Sequence, residues 1–258
     1  MIRALLLFSV LVFSAQASDT SAVRFPGESF TSALARHSGD FRNILKNTPL
    51  DYDRPLSELN PLDVVDWSGV EMSAQAAFER IRDLRFLNDK NCSNFKRRLS
   101  WLYPDDGCFA RAALAVKNLD SIQLPKPSKI FAFGNLEVKT TNSPLGRVSW
   151  WYHVVPAIRL GTQVIVFDPA IEPLRFLLVE EWVAKMGSVN NIKIAVCSPE
   201  TYSPDDQCLG ATDSGTLALA DQSYYLNLEW DRLKTLKRPP ESELGDFPPW
   251  LNSGSSLN

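Results

Sequence analysis

The chain has 258 residues, of which 45% are apolar and 22% are charged, and its formal net charge is -3. This composition is typical of a globular protein, and it excludes a chain that is disordered throughout, because disorder requires low hydrophobicity together with high net charge. Collagen-like, coiled-coil and polytopic membrane proteins are excluded as well. Since the 27 basic residues do not outnumber the 30 acidic ones, nucleic acid is not an expected partner.

The first seventeen residues have the three parts of a secretory signal peptide. Arg3 forms the positive part, an apolar run follows from Ala4 to Phe13, and Ala15-Gln16-Ala17 is a small-x-small cleavage site. The run is too short to span a bilayer, although a buried N-terminal helix is an alternative. We therefore expect a secreted or periplasmic protein that has no membrane attachment after cleavage.

Residues 18–66 are irregular and broken by prolines, with room for short helical pieces around Phe30 to Leu45, so we expect an N-terminal extension or pro-segment ahead of a domain over 67–258. The alternative is that 18–66 is an integrated part of the fold. The end of the chain contains four prolines between 239 and 249, and a mobile C-terminal tail is expected there.

Two helices are predicted in the first half of the domain. The first runs from Ser73, a good N-cap residue, to about Asn88, with apolar residues at helical spacing. A loop that ends in Tyr103-Pro104-Asp105-Asp106-Gly107 separates it from the second helix. That second helix opens at Cys108 and is rich in alanine, which favours helix.

The middle of the chain is β-like. Strands are predicted over 129–133 and 136–140, with a hairpin turn at Gly134-Asn135 between them. A long strand over 147–160 turns at Gly161-Thr162 into a returning strand. The later elements are that returning strand (163–167), a helix (178–186), a strand (192–196) and a helix (223–236). A helix, a mainly antiparallel sheet and further helices in this order predict the α+β class.

The four cysteines are Cys92, Cys108, Cys197 and Cys208. In an oxidising compartment, two disulfides are the simplest expectation. No pair has CxxC spacing and the chain has only two histidines, so no metal or other cofactor is expected. Because Cys197 and Cys208 bracket a polar loop that nothing apolar holds, we predict that these two pair and that the partner of Cys92 stays open.

Cys108 is a candidate nucleophile because it lies at the predicted first turn of a helix. The unpaired N–H groups and partial positive charge of a helix N-terminus stabilise a thiolate, which is the reactive form of cysteine. The same N–H groups can hold a developing oxyanion. The alternative, equally compatible with position alone, is that Cys108 is half of a structural disulfide.

His153 and Asp168 are candidates for a base and its orienting acid. By itself, His153 is better explained as a sheet histidine packed among aromatic residues. If Gly161-Thr162 forms a two-residue turn, however, Leu160 pairs with Gln163, and Asp168 then lies diagonally across from His153 on the same sheet face. Such a pair would orient the imidazole and stabilise its charged form. The alternative for Asp168 is an ordinary strand-terminating residue.

Four segments together resemble bacterial protein-glutaminases, also called protein-glutamine deamidases. They are Leu102–Ala112 (LYPDDGCFARA), Phe131–Leu136 (FAFGNL), Val148–Val154 (VSWWYHV) and Val166–Pro169 (VFDP). The resemblance implies a transglutaminase- or papain-like cysteine-hydrolase core, in which the cysteine at a helix N-terminus packs against the antiparallel sheet. It implies Cys108 as the nucleophile, His153 as the base and Asp168 as the orienting acid. It also implies an inhibitory pro-region upstream of the catalytic domain.

The expected activity is hydrolysis of glutamine side chains in proteins or peptides to glutamate and ammonia, through a cysteine thioester. Trp150 and Trp151 would line a channel for the glutamine side chain, although such residues are more often part of a core. A monomer is expected. The alternatives are a transglutaminase or cysteine peptidase that uses the same three residues, or a non-catalytic binding module in which Cys108 is oxidised.

Overall fold

A computed structural model describes residues 54–206, 208 and 214–252. The predicted signal peptide and the first part of the predicted extension lie outside this range. The strands are β1 (Arg54–Pro55), β2 (Leu87–Asp89), β3 (Cys92–Arg97), β4 (Ser128–Lys139), β5 (Arg147–Leu160), β6 (Gln163–Val166), β7 (Leu177–Leu178) and β8 (Lys193–Cys197). The helices are α1 (Ala74–Asp83), α2 (Cys108–Asp120), α3 (Val179–Met186), α4 (Ser214–Thr235), α5 (Pro240–Glu243) and α6 (Pro249–Asn252).

Six strands form one sheet in the order β1-β8-β4-β5-β6-β7, and every neighbouring pair is antiparallel. The hairpin β2-β3 is separate. Side chains of α1, α2 and α4 share a core with one side of the sheet, whereas α3 packs into a second core on the other side. The predicted α+β class with a mainly antiparallel sheet is confirmed.

The helix ends follow local capping and breaking signals. The hydroxyl of Ser73 accepts a hydrogen bond from the N–H of Ala76 at 3.1 Å, which is the N-cap expected for α1. This helix ends at Asp83, earlier than predicted, because the chain turns extended at Leu84 and leads into β2. Helix α4 begins at Ser214 rather than 223, so the sequence analysis missed its first nine residues, in which Leu217 and Leu219 are exposed.

The predicted hairpin turn at Gly134-Asn135 is wrong. Strand β4 runs through both residues, and its register with β5 shifts between Phe133 and Leu136, which is a β-bulge. Gly134 has φ 141°, and a Cβ atom there would lie 2.9 Å from the carbonyl oxygen of Asn191. A glycine is therefore required at this position, and the same residue type serves a bulge as well as a turn.

The turn between β5 and β6 has the predicted register. Leu160 pairs with Gln163, and the ladder continues to Ala157 opposite Val166. The ladder ends at this pair: Ala157 lies four residues after His153 along β5, and Asp168 lies two residues after Val166, the last residue of β6.

Both ends of the described chain are held by the domain. Strand β1 pairs with β8, and the backbones of Val65 and Trp67 hydrogen-bond with Arg159 of β5, so part of the predicted extension is joined to the main sheet. At the other end, Trp250 is buried and its indole N–H donates to Asp83 at 2.9 Å. An aromatic anchor thus packs residues 239–252 against the domain despite their helix-breaking prolines, and the mobility of the tail stays a prediction.

Cys197 and Cys208 form a disulfide, with their Cα atoms 4.5 Å apart. Cys92 and Cys108 are free thiols, and both are buried. Within the described residues, no helix combines the length and the apolar character that a membrane span requires.

Candidate active site

Cys108 is the first residue of α2, directly after a glycine that the turn requires. Gly107 has φ 78°, and a Cβ atom on it would lie 2.6 Å from the ring of Tyr225, so both the backbone and the packing call for glycine. The sulfur-bearing side chain is only 4% exposed. The sequence Gly-Cys thus places a thiol at a helix N-terminus, where backbone N–H groups lack intrahelical partners.

His153 and Asp168 form a buried hydrogen-bonded pair. The Nε2 atom of His153 lies 2.8 Å from Oδ2 of Asp168, and each side chain is at most 2% exposed. Burial by itself lowers the pKa of a histidine, but the charge and hydrogen bond of Asp168, together with Cys108, raise the pKa of His153 to about 9. Burial likewise acts to raise the pKa of Asp168, but His153 and a further hydrogen bond hold it below its usual value. At neutral pH the pair is therefore an imidazolium and a carboxylate.

The thiol of Cys108 adjoins the same imidazole and acts to raise the pKa of His153. Because Nε2 bonds to Asp168, Nδ1 is the ring nitrogen that remains for the thiol. Nδ1 has no hydrogen bond of regular geometry among the described residues, so the contact with sulfur is a loose one. Contacts of this kind are often long in a free enzyme and tighten when substrate binds. The structure thus brings Cys108, His153 and Asp168 together.

Trp150 packs directly on the histidine. Its ring lies 4.7 Å from that of His153 at an angle of 11°, which is a parallel stack. Residues three apart on a regular strand point to opposite faces, and the stack occurs where the register between β5 and β4 shifts, between Trp150 and Tyr152. The indole N–H of Trp150 donates to the carbonyl oxygens of Pro104 and Asp105, at 2.9 and 3.1 Å. Trp150 therefore connects the histidine strand to the loop that precedes Cys108.

Trp151 lies apart from this stack. Its ring meets that of Tyr152 edge-on at 4.6 Å, and its side chain is 8% exposed. The predicted contact of Trp150 and Trp151 with a glutamine side chain stays a prediction. In the structure, the ring face of Trp150 stacks on His153 and its indole N–H is hydrogen-bonded to Pro104 and Asp105.

Trp182, on α3, is a site residue that the sequence analysis missed. Its indole N–H donates to Oδ2 of Asp168 at 2.8 Å, and its ring lies 5.8 Å from that of His153. Trp182 is fully buried. The sequence placed it on a helix, but nothing in the spacing relates that helix to Asp168, so no local signal pointed to the contact.

Residues 99–107, here called the nucleophile loop, are held by one polar face of α4. Four residues of this face, at spacings of three or four, reach the loop, as expected for one side of a helix. Gln222 donates to the hydroxyl of Ser100 (2.6 Å), and Tyr225 donates to the carboxylate of Asp106 (2.9 Å). Glu229 accepts a hydrogen bond from the N–H of Leu102 (2.7 Å), and Arg232 donates to the carboxylate of Asp105 (2.6 Å). The sequence analysis had recognised only the apolar side of this helix.

Arg111 reinforces the same loop from within α2. It is 2% exposed, so it is not a surface charge, and its Nη1 donates to the carbonyl oxygens of Ser100, Tyr103 and Asp106. Asp106 is also buried, which raises its pKa to about 6 although Gly107 and a tyrosine donate hydrogen bonds to its carboxylate. Cys108 thus follows a loop in which the carbonyl oxygens of Ser100, Tyr103 and Asp106 and the carboxylate of Asp106 accept hydrogen bonds inside the protein.

The fold and site described above are those of an α+β protein with a cysteine at a helix N-terminus beside a histidine–aspartate pair. Residues 74–186 match the model of a family described as Glutaminase, and this segment contains Cys108, His153 and Asp168. The resemblance to protein-glutaminases that the sequence motifs indicated is therefore confirmed. No curated protein matches the chain.

Solved structures of protein-glutaminases are similar at low identity. A pro-protein-glutaminase is 19% identical over 81% of this chain and 73% of its own, with a TM-score of 0.47. The NMR structure of protein-glutaminase from Chryseobacterium proteolyticum is 20% identical over 71% of this chain and 95% of its own, with a TM-score of 0.42. The A47Q2 mutant of pro-protein-glutaminase is 21% identical over 50% of this chain, which spans 47% of that mutant's length, with a TM-score of 0.38.

Proposed function

We propose that the protein is a secreted protein-glutamine deamidase, which hydrolyses the side-chain amide of glutamine in proteins or peptides to glutamate and ammonia. The observation that carries the proposal is the contact of Cys108, at a helix N-terminus, with the buried pair His153–Asp168, inside the segment that matches the Glutaminase family. The predicted signal peptide and the disulfide between Cys197 and Cys208 support an exported protein.

In the first step, the Cys108 thiolate attacks the carboxamide carbon and forms a C–S bond. The thiolate, rather than the thiol, is the nucleophilic form of cysteine. The N–H groups at the start of α2 stabilise the oxyanion of the tetrahedral intermediate. His153 then gives its proton to the leaving nitrogen, the C–N bond breaks, and ammonia departs from a thioester.

In the second step, water replaces the thiol. Neutral His153 takes a proton from the water as it attacks the thioester carbonyl, the C–S bond breaks, and the side chain is released as glutamate. His153 keeps the proton that it took from the water, Cys108 leaves as the thiolate, and the new carboxylic acid releases its own proton to solvent. Throughout both steps, Asp168 keeps the ring oriented and stabilises its charged form. Neither step needs a cofactor.

Mass spectrometry of a glutamine-containing protein after incubation tests the proposal. We expect a mass gain of about one unit at glutamine residues, an intact backbone, and equimolar ammonia. Cys108→Ala should abolish the change, whereas Cys92→Ala, which removes the other free thiol, should not. Backbone cleavage would identify a peptidase instead.

Competition with a primary amine distinguishes a deamidase from a transglutaminase, since both form the same thioester. In the presence of excess amine, a deamidase should still give mainly glutamate. Amine adducts or cross-linked oligomers as the main product would make the chain a transglutaminase with the same three residues.

A further inference from the structure

The carboxylate of Asp168 has two donors on a single oxygen. Oδ2 lies 2.8 Å from Nε2 of His153 and 2.8 Å from the indole nitrogen Nε1 of Trp182. All three side chains are at most 2% exposed. A buried carboxylate needs such donors, and their directions fix its orientation.

We infer that Trp182 is a positioning residue for the reaction. Its indole N–H holds the Asp168 carboxylate in line with the His153 imidazole, so that Nδ1 of the ring stays turned toward Cys108. The expected loss of deamidation activity rests on the proposed function. The expected change in the alkylation rate of Cys108 does not.

The charges around the pair are compatible with this role. Besides His153, the charged group that acts on Asp168 is Arg111 of α2, and the other titratable group that acts on His153 is Cys108. The uncharged indole of Trp182 adds a directed hydrogen bond to this set, on the side of the sheet where α3 packs. It thereby stabilises the carboxylate without adding a group that titrates.

The test removes the indole N–H and follows the reactivity of Cys108 itself. Trp182→Phe should slow alkylation of Cys108 by iodoacetamide at neutral pH about tenfold, as expected for loss of one hydrogen bond to a charged group. Peptide mass spectrometry separates Cys108 from Cys92. If the phenylalanine variant folds poorly, Trp182 is replaced by benzothienylalanine, which keeps the ring size and lacks the N–H. This replacement should slow the alkylation of Cys108 by the same factor.

Trp250→Phe is the matched control, because Trp250 also donates an indole N–H to an aspartate, Asp83, away from the site. It should leave the alkylation rate unchanged. The kcat for glutamine deamidation should fall about tenfold in Trp182→Phe while KM stays the same, as expected for a residue that orients the base rather than binding substrate.

A double-mutant cycle separates positioning from a general structural role. If Trp182 acts through the carboxylate, Trp182→Phe should change the alkylation rate less than about twofold in an Asp168→Ala background. An equal loss in both backgrounds, or a normal rate in the benzothienylalanine variant, would overturn the inference. If alkylation follows the cycle but the wild-type protein releases no ammonia from glutamine, the positioning role stands and the proposed function fails.

Discussion

The two halves of the candidate site are held in different ways. The half with His153 and Asp168 is fixed by strand register and by indole rings, and the ion pair there is shielded by Trp150 and Trp182. The half with Cys108 is fixed by buried polar side chains that hydrogen-bond the nucleophile loop. His153 is therefore positioned mainly by packing, whereas Cys108 is positioned by a polar network that depends on its hydrogen-bond partners and charges.

The buried charges of the nucleophile half extend beyond the loop. Arg97 of β3 pairs with Asp89 and, at 2.6 Å, with Glu229 of α4. Glu229 also accepts the N–H of Leu102, so a single carboxylate joins the β2-β3 hairpin, α4 and the nucleophile loop. Removing one partner of such a network leaves another charge buried and uncompensated, which is costly.

The largest effect should come from the packed half. Asp168→Asn should lower kcat by roughly 10³- to 10⁴-fold, because the amide cannot stabilise the imidazolium or hold its tautomer. Circular dichroism should show an unchanged fold, since the indole rings and strand register stay in place. An activity within about tenfold of wild type would mean that Asp168 does not orient the base.

In the half that contains Cys108, the largest loss of stability should come from removing the charge of Glu229. Glu229→Gln should reduce the free energy of unfolding by about 3 kcal/mol, because Arg97 loses one of its two buried partners. Urea denaturation measures this difference. Asp246→Asn, which breaks an exposed pair with Arg85, is the control and should change stability by less than about 1 kcal/mol. Equal losses of unfolding free energy in Glu229→Gln and Asp246→Asn would show that the buried pair contributes no more stability than the exposed one.

The two halves should lose stability in different pH ranges. Because the pKa of Asp106 is raised to about 6 in the folded state, the folded protein holds this proton more tightly, and stability falls as pH rises from about 4 to 6. Because the pKa of His153 is raised to about 9, the stability gained from its pairing is present below about 6.5 and is lost as pH rises to 9. Each loss should amount to roughly 3 kcal/mol.

Urea denaturation at several pH values separates the two ranges. Asp106→Asn should remove the fall between about pH 4 and 6 and leave the one at higher pH, and Asp168→Asn should do the reverse. A single variant that abolished both would mean that the two halves titrate as one unit.

The smallest effect should come from a single hydroxyl. Tyr225→Phe removes the hydrogen bond to Asp106 but keeps the ring that packs over Gly107, so we expect a loss of about 1–2 kcal/mol in unfolding free energy. The neighbouring Tyr224, which is 59% exposed, supplies the control Tyr224→Phe, which should be neutral. A comparable loss in both variants would count against the role of the hydroxyl.

The sequence by itself determined the local parts of this site. Gly107-Cys108 predicted a thiol at a helix start, because turn and helix signals act over a few residues. The turn at Gly161-Thr162 predicted the pairing of Leu160 with Gln163, and hence the closeness of His153 and Asp168, because a two-residue turn sets the register of both strands.

Only the tertiary structure decided what surrounds these residues. Gly134 carries the same signal for a turn and for a bulge, and only the pairing of β4 with β5 on both sides of it shows that the strand continues. The hydrogen bond from Trp182 to Asp168 depends on how α3 packs on the sheet, and the polar face of α4 looks like a solvated helix surface until it covers the nucleophile loop. Propensity and spacing describe neighbours along the chain, whereas burial of a polar group depends on which distant element packs over it.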